Sequence, residues 1–486
     1  MTRLTAHGIA WTAISQLSNQ AFLFIVTAIL ARLLTPEDFG IVGMAAIFTG
    51  LVATVNELGL NAAIIQRKEL SESHLATSFW AIMAMGILIF GIAILAAPFV
   101  ARFFGKDIVA PVVILSSSGF LIGSLGVVQG SLLIKGMLFK QLAATEIGAT
   151  IISGTAATVM AFAGFGVWSL ALKGVIFSFA SVVLLWLVCS WRPSIHFSLE
   201  SFKQLFGFSV KVTGTRVVNY FQANVDYMVV GKLFGAYSLG IYSLAYRLIT
   251  MPLTKISSIV TRVTFPAYSS IQDDDLRLRR GYLKEIAYIS LVTFPALTGL
   301  FAVAPEFIRV IYGEKWVSAI LPLRILCIVG VVKSIGTTVG SIHYSKGRAD
   351  IALKWNISKF VILTGGIFAG SRYGIVGVAT AIAIVTAALF PIIQWVTNRL
   401  IKLSFREYLR ALYPSTSAST LMLLFLAAYR LLLHGISWQN DFFNLISSVL
   451  LGSVVYFVTL KVARMRVLDE FFAIILSTLK PVSLKR

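Results

Sequence analysis

The chain has 486 residues, of which 58% are hydrophobic and only 13% are charged, and its formal net charge is +21. Soluble domains usually carry about 25% charged residues, so this composition excludes a soluble protein and predicts an all-α protein that crosses the membrane many times. The positive charge is therefore assigned to cytoplasmic loops, and no nucleic-acid partner is predicted. Cys189 and Cys327 have no motif spacing, so neither a disulfide framework nor a metal site is predicted.

Fourteen segments are apolar and long enough to be membrane-spanning helices, each of which needs about 20 apolar residues. They cover residues 8–32, 39–64, 75–99, 109–134, 143–163, 166–189, 204–231, 237–265, 283–304, 317–343, 354–370, 374–397, 411–434 and 443–462. No small-residue cleavage site follows the first segment, so it is predicted to be a retained helix and not a signal peptide. No connection is long enough to form a separate folded domain.

The distribution of positive charge predicts the orientation of these helices. An even number of spans places both chain ends on one side of the membrane. Most of the 41 Lys and Arg residues lie on that side of the membrane. They lie near the chain ends and in the loops near residues 65–74, 135–142, 191–203, 270–284, 346–354 and 398–410. Because Lys and Arg collect in cytoplasmic loops, both termini are predicted to be cytoplasmic.

Matching segments indicate an internal repeat. "RLLTPEDFGIVGMA" (32–45) aligns without a gap with "KLFGAYSLGIYSLA" (232–245) and pairs Gly40 with Gly240. Two weaker matches follow in the same order, 134–137 with 345–348 and 165–171 with 373–379. These matches predict an N-lobe of six helices in residues 1–200, a C-lobe of six helices in 201–400, and two further helices with a cytoplasmic tail in 401–486. Parallel repeats of this kind commonly enclose a central cavity at their interface.

Cations inside the predicted spans are the main candidate for a functional site. The eighth span carries Arg247, Lys255 and Arg262 on one side of the helix, and Pro252 is expected to kink it. A cation deep in the bilayer costs at least about 2.5–3.5 kcal/mol when it faces lipid, so these side chains are expected to face water or an anion. The alternatives are structural salt bridges for Arg247 and Lys255, and extension to the membrane surface for Arg262.

Other polar side chains could line the same cavity or make helix–helix hydrogen bonds. The further candidates are Lys173, Lys211, Arg216, Arg324 and Lys333 as cations, and Gln16, Asn19 and Asn219 as uncharged polar groups. Lys359 is expected to extend to the cytoplasmic surface. The aromatic side chains near the cations, Tyr220, Tyr227, Tyr242 and Tyr246, could stack on sugar rings or could serve packing alone.

Three acidic residues, Asp226, Glu57 and Glu146, are expected to be buried inside spans. Each is either an ion-coupling site or a salt-bridge partner for a cation, and Asp226 is preferred because it could neutralise Arg247 or Lys255. The sequence contains no P-loop, GxSxG, HExxH or paired CxxC motif, so no enzymatic activity and no cofactor are predicted.

Several stretches resemble the Wzx-type polysaccharide flippases, and among them the colanic-acid-exporter-like subgroup. These stretches are "FGIVGMAAIF", "ELGLNAAIIQRKELS", "ITRVTFPAYSSIQDD", "IYGEKWVSAILPLRILCIVGVVKSIG" and "SKGRADIALKWN". The family belongs to the multidrug/oligosaccharidyl-lipid/polysaccharide exporter superfamily, which also holds the lipid II flippases and the MATE drug exporters. The resemblance covers most of the first twelve helices, and the last two fit the family's fourteen-helix plan.

The resemblance implies a substrate, an undecaprenyl-diphosphate-linked oligosaccharide repeat unit that is flipped across the bacterial inner membrane for surface polysaccharide synthesis. It also implies a cationic cavity between two lobes, alternating access and antiport driven by an ion gradient. A polysaccharide polymerase and a chain-length regulator are further partners that it implies. Since Arg binds phosphate bidentately and Lys acts as a point charge, the diphosphate is expected to bind Arg247 and Lys255.

Two other classes of protein are weighed against this interpretation. A MATE-like exporter of cationic compounds should line its cavity with acids, whereas cations outnumber acids inside these spans. A polytopic polymerase or ligase should carry a sizeable external loop with catalytic Arg or His, whereas the predicted external loops are short. Transport of lipid II would differ only in the glycan, and the sequence gives almost no information about the identity of the glycan.

Overall fold

The computed structural model describes residues 2–56, 64–65, 70–198, 210–435 and 440–462. Side chains are described within these ranges except at 2–17, 55–56, 210–218, 252, 254–263, 265–266 and 434–435. The described chain is built of helices, with no β-strand among its elements. Its packing divides it into two compact units, residues 1–241 and residues 242–486.

The helices described in the first unit follow one another in chain order. They are α1 (Thr2–Leu33), α2 (Pro36–Asn56), α3 (Glu72–Phe104), α4 (Val109–Ser124), α5 (Val127–Lys135), α6 (Phe139–Phe162), α7 (Val167–Val188) and the first part of α8 (Val210–Ser270). The second unit continues from the later part of α8 with α9 (Asp275–Phe307), α10 (Ile320–Gly336), α11 (Val339–Ser345), α12 (Ala349–Ser371), α13 (Gly374–Leu400), α14 (Phe405–Gly435) and α15 (Asp441–Val462). A π-helical turn (Ile308–Tyr312) and a 3-10 helix (Glu314–Ala319) connect α9 to α10.

The all-α, multi-span fold predicted from composition is confirmed. Eleven helices in the described ranges are long and apolar enough to cross a membrane, or twelve if α4 and α5, which bend by 48°, count as one span. Fourteen is therefore an approximate count. The differences arise where a predicted helix is broken, as between α4 and α5, and where two predicted helices are joined, as in α8. A further difference arises at α1, of which only the shorter stretch Ser18–Leu33 enters the count.

The break within α8 lies at Gly235, whose φ of 78° and ψ of −175° are not helical. A positive φ of this size is strained for residues with a Cβ and is accessible to glycine. The seventh and eighth predicted helices, 204–231 and 237–265, are therefore separated by a single-residue change of direction instead of a loop.

A reciprocal glycine contact joins α2 to the turn of α8 that follows this break. A Cβ on Gly40 would lie 1.7 Å from the carbonyl oxygen of Ala236, and a Cβ on Gly240 would lie 1.8 Å from the carbonyl oxygen of Pro36. The sequence repeat pairs Gly40 with Gly240, and the same register pairs Pro36 with Ala236. The two contacts therefore involve aligned positions of the two segments.

Apolar side chains cover much of the outer surface of the described helices. Leu95 and Phe99 of α3 are 73% and 68% exposed, and Leu431 of α14 is 75% exposed. Exposed apolar area on this scale would be unfavourable in water and is expected where helices face lipid.

An ion cluster ties together three connections of the second unit. The Asp275 carboxylate at the start of α9 accepts from Lys346 Nζ at 2.7 Å and lies 2.8 Å from Lys402 Nζ. The carboxylate raises the pKa of Lys402 above its ordinary value by hydrogen bonding and by charge. This cluster holds the α11–α12 and α13–α14 connections against the beginning of α9.

Candidate functional site

Arg247 is the best-described of the predicted cavity cations. It lies on α8 within the apolar span Asn219–Met251, and its side chain is exposed. With the described residues it forms neither an ion pair nor a hydrogen bond through its guanidinium, although it interacts electrostatically with the Tyr312 phenol. An exposed guanidinium without an acidic partner in such a span is available to an anion.

A second predicted cation approaches the same turn of α8. Lys333 of α10 donates a hydrogen bond from Nζ to the Tyr246 hydroxyl at 2.6 Å, and the ammonium lies 4.9 Å from the centre of that ring. Arg324, also on α10, instead donates to the Phe301 carbonyl of α9 at 3.3 Å. Lys333 thus lies beside the residue that precedes Arg247, whereas Arg324 is held by a helix–helix contact.

Two of the tyrosines near the cations have packing roles. Tyr220 donates its hydroxyl to the Ile47 carbonyl of α2 at 2.7 Å, and Tyr242 is fully buried. These contacts account for both rings without a sugar ligand.

The acidic residues differ in burial. Asp226 in the first unit is 5% exposed, and its carboxylate accepts from the Tyr227 backbone N–H at 3.0 Å. The expectation that Glu146 is buried is wrong, because its side chain is exposed. By helical spacing Glu146 lies on the same face of α6 as the buried residues Ala149 and Ala157, so periodicity alone does not account for its exposure.

The other predicted residues fall into two groups. Lys173 and Asn19 are half-buried, and Asn219 is exposed. The calls on the side chains of Lys211, Arg216, Lys255, Arg262, Gln16 and Glu57 lie outside the described residues.

A buried acid that the sequence analysis missed is Glu285 of α9, which is 4% exposed. Its carboxylate accepts hydrogen bonds from the hydroxyls of Thr264, at 3.0 Å, and Tyr268. A neighbouring buried chain of hydrogen bonds runs from the Tyr282 hydroxyl to Gln394, at 3.1 Å, and on to Asn398. Glu285 was overlooked because it directly follows a charged loop.

One sequence signal could have found Glu285. Buried apolar residues, among them Ile286 and Ile289, lie next to Glu285 in the sequence of α9. Glu285 occupies a position on the buried face that these residues form. That helical spacing would have placed the acid among core positions.

Comparison with known proteins identifies the family. Residues 29–321 match the family described as polysaccharide biosynthesis protein. The teichuronic acid biosynthesis protein TuaB of Bacillus subtilis (strain 168) is 30% identical over 448 residues, which cover 92% of this chain and 91% of that protein. The lipopolysaccharide biosynthesis protein WzxC of Escherichia coli (strain K12) is 29% identical over 421 residues, which cover 84% of each chain.

A solved structure gives independent support for the fold. The lipid II flippase MurJ in an inward closed conformation matches with a TM-score of 0.70 over 93% of this chain and 98% of that chain, at 15% sequence identity. At that identity the likeness shows the fold alone. The chain belongs to the polysaccharide biosynthesis protein family, among the Wzx-type flippases of the multidrug/oligosaccharidyl-lipid/polysaccharide exporter superfamily.

Proposed function

We propose that this multi-pass membrane protein translocates an undecaprenyl-diphosphate-linked oligosaccharide repeat unit across the bacterial inner membrane for surface polysaccharide synthesis. The single observation that carries the proposal is Arg247, an exposed guanidinium in an apolar span without an acidic partner among the described residues. The names of its relatives, which concern teichuronic acid and lipopolysaccharide biosynthesis, agree with a glycan as cargo. A polymerase would then consume the translocated unit under a chain-length regulator.

The chemistry of the proposed substrate suits such a cation. A diphosphate headgroup is strongly anionic whichever glycan is attached to it. A guanidinium can bind two of its oxygens at once, and lysines nearby supply additional charge. We place Arg247 and Lys255 at the diphosphate, with Lys211, Arg216, Lys173 and Arg262 as further cavity cations.

Net transport in one direction requires an energy source. An ion gradient can act only if some group binds the ion more tightly in one conformation than in the other. We propose Asp226 for this role, because a buried carboxylate is costly unless it is protonated or paired. Protonation would release a cavity cation to bind the substrate, and loss of the substrate would allow Asp226 to ionise again.

The test uses the purified protein in proteoliposomes that carry a fluorescent undecaprenyl-diphosphate-linked glycan. The parent protein should expose the glycan to an external quencher faster than protein-free liposomes do, and an imposed pH or sodium gradient should change that rate. Asp226→Asn should still bind the glycan lipid but should lose the response to the gradient. Asp273→Asn, which alters an exposed loop acid, serves as the matched control.

The outcomes of this experiment separate the two claims. Absence of flipping by the parent protein would refute the proposed function. Flipping with an unchanged gradient response in Asp226→Asn would leave the function standing and would move the coupling group to another residue.

We also propose that both termini are cytoplasmic, because most Lys and Arg lie in the loops of that side. Reporters fused near residue 275 and after residue 486 should be active only as cytoplasmic reporters, and reporters near residues 235 and 435 only as external ones. An external C-terminal reporter would contradict this topology.

A further inference from the structure

A cavity lined by apolar residues and a few polar ones lies within the second unit, between α10–α11 on one side and α12 and α13 on the other. Its volume is about 400 Å³, within the range of about 300–1,000 Å³ typical of small-molecule sites. Lys333 and Lys359 contribute charge to its lining, and Trp355 and Tyr344 contribute aromatic surface. Lys359, which is predicted to extend to the cytoplasmic surface, lines this cavity.

The charge of the cavity is one-sided. Lys333 and Lys359 are both half-buried, and the two ammonium groups repel each other. In the described part of the chain, no Asp or Glu lines the cavity, and Lys359 forms neither an ion pair nor a hydrogen bond. Lys333 has the Tyr246 hydroxyl as a hydrogen-bond partner, whereas the half-buried Lys359 ammonium beside it is unfavourable unless an anion joins it.

Neutral donors accompany the two cations. The Asn356 amide and the Trp355 indole N–H both line the cavity, and among the described residues neither forms a hydrogen bond. Thr386 adds a hydroxyl that is largely buried. A ligand with several acceptor oxygens could satisfy these donors together with the lysines, whereas a monatomic anion is too small to reach all of them.

We propose that this cavity is a binding site for an oxyanion, specifically a phosphate group held by Lys333 and Lys359 and oriented by Asn356. Lysine ammonium groups bind phosphate as point charges, and the additional neutral donors give the site its geometry. Phosphate binding here does not require substrate at Arg247, although Lys333 also contacts Tyr246, the residue before Arg247. The phosphate could belong to a membrane lipid headgroup or to a soluble compound, and both present the same chemistry to the cavity.

The test measures phosphate binding to the purified full-length protein in nanodiscs. In phosphatidylcholine nanodiscs, inorganic pyrophosphate is titrated by calorimetry. In a second arm, phosphatidylglycerol is added to the nanodiscs, and retained lipid is counted by native mass spectrometry. Lys359→Gln is expected to weaken binding roughly 10- to 100-fold, because a hydrogen bond to a charged group is lost, while Lys359→Arg keeps most of it. Lys354→Gln, an exposed lysine on the same helix, should bind like the parent.

Each outcome decides the proposal. Lysine-dependent binding of pyrophosphate alone identifies a soluble ligand, and lysine-dependent retention of phosphatidylglycerol alone identifies a lipid. Lys333→Gln should reproduce the loss, which guards against a local folding defect in Lys359→Gln. The proposal is overturned if neither phosphate source binds, if Lys359→Gln binds like the parent, or if Arg247→Ala removes the signal while Lys359→Gln retains it.

Discussion

Replacing both Arg247 and Lys255 by Ala is expected to abolish export of surface polysaccharide while the amount of protein in the membrane stays near the parent level. Hydrogen bonds to charged groups contribute about 1.5–3 kcal/mol each, so loss of both cations should weaken diphosphate binding by two orders of magnitude or more. Folding should tolerate the change at Arg247, because its exposed side chain forms no ion pair or hydrogen bond with the described residues. Surface polysaccharide and membrane protein abundance are measured in a strain that depends on this protein.

The variant Arg247→Lys separates charge from geometry. If a single positive charge suffices, export should remain substantial, and if two phosphate oxygens must be bound at once, export should fall close to the level of the Ala variant. Arg280→Ala combined with Lys354→Ala removes two exposed cations and is the matched control. Normal export from the variant that lacks Arg247 and Lys255 would remove the basis for placing the diphosphate at α8.

Substituting Gly40 or Gly240 by Ala should sharply reduce the amount of folded protein. The added Cβ would lie 1.7 Å or 1.8 Å from a carbonyl oxygen of the partner segment, far inside van der Waals contact. Because the obstructing atom belongs to the backbone, a rotamer change cannot relieve the clash, and the two helices must move apart. Overpacking of this kind typically costs about 1–3 kcal/mol and can cost more.

Glycines without close neighbours provide the control for this prediction. A Cβ on Gly91 of α3 or Gly174 of α7 would meet nothing within 4 Å. Ala at such helical positions should be neutral or stabilising by roughly 0.5–1 kcal/mol. Thermal unfolding and size-exclusion chromatography of detergent-solubilised protein would measure the difference. If Gly40→Ala and Gly240→Ala melted like Gly91→Ala, the close reciprocal contact would be wrong.

The reciprocity adds a quantitative expectation. Gly40 faces Ala236, and Gly240 faces Pro36, which the repeat aligns with Ala236. The two contacts are therefore equivalent, and the two Ala variants should be destabilised by similar amounts. The double variant should be less destabilised than the sum of the singles, since one separation of the helices relieves both clashes.

The amino-acid sequence by itself determined that the protein is helical and spans the membrane many times. That inference rests on composition and on runs of about 20 apolar residues, which are local properties of the chain. It also marked Arg247 and Lys255 as candidate site residues, because a cation deep in an apolar span is costly when it faces lipid. The pairing of Gly40 with Gly240 was likewise visible as a repeat, although its physical meaning was not.

Only the tertiary structure decided which groups meet. Whether a polar side chain in a helix is buried depends on the neighbouring helix, and so Glu146 proved exposed while Glu285 proved buried against Thr264 and Tyr268. Lys333 and Lys359 lie far from the eighth span in sequence and share a cavity only because α10, α12 and α13 pack together. Helical periodicity assigns a side chain to a face of its helix, whereas the partner of that face is set by packing between distant segments.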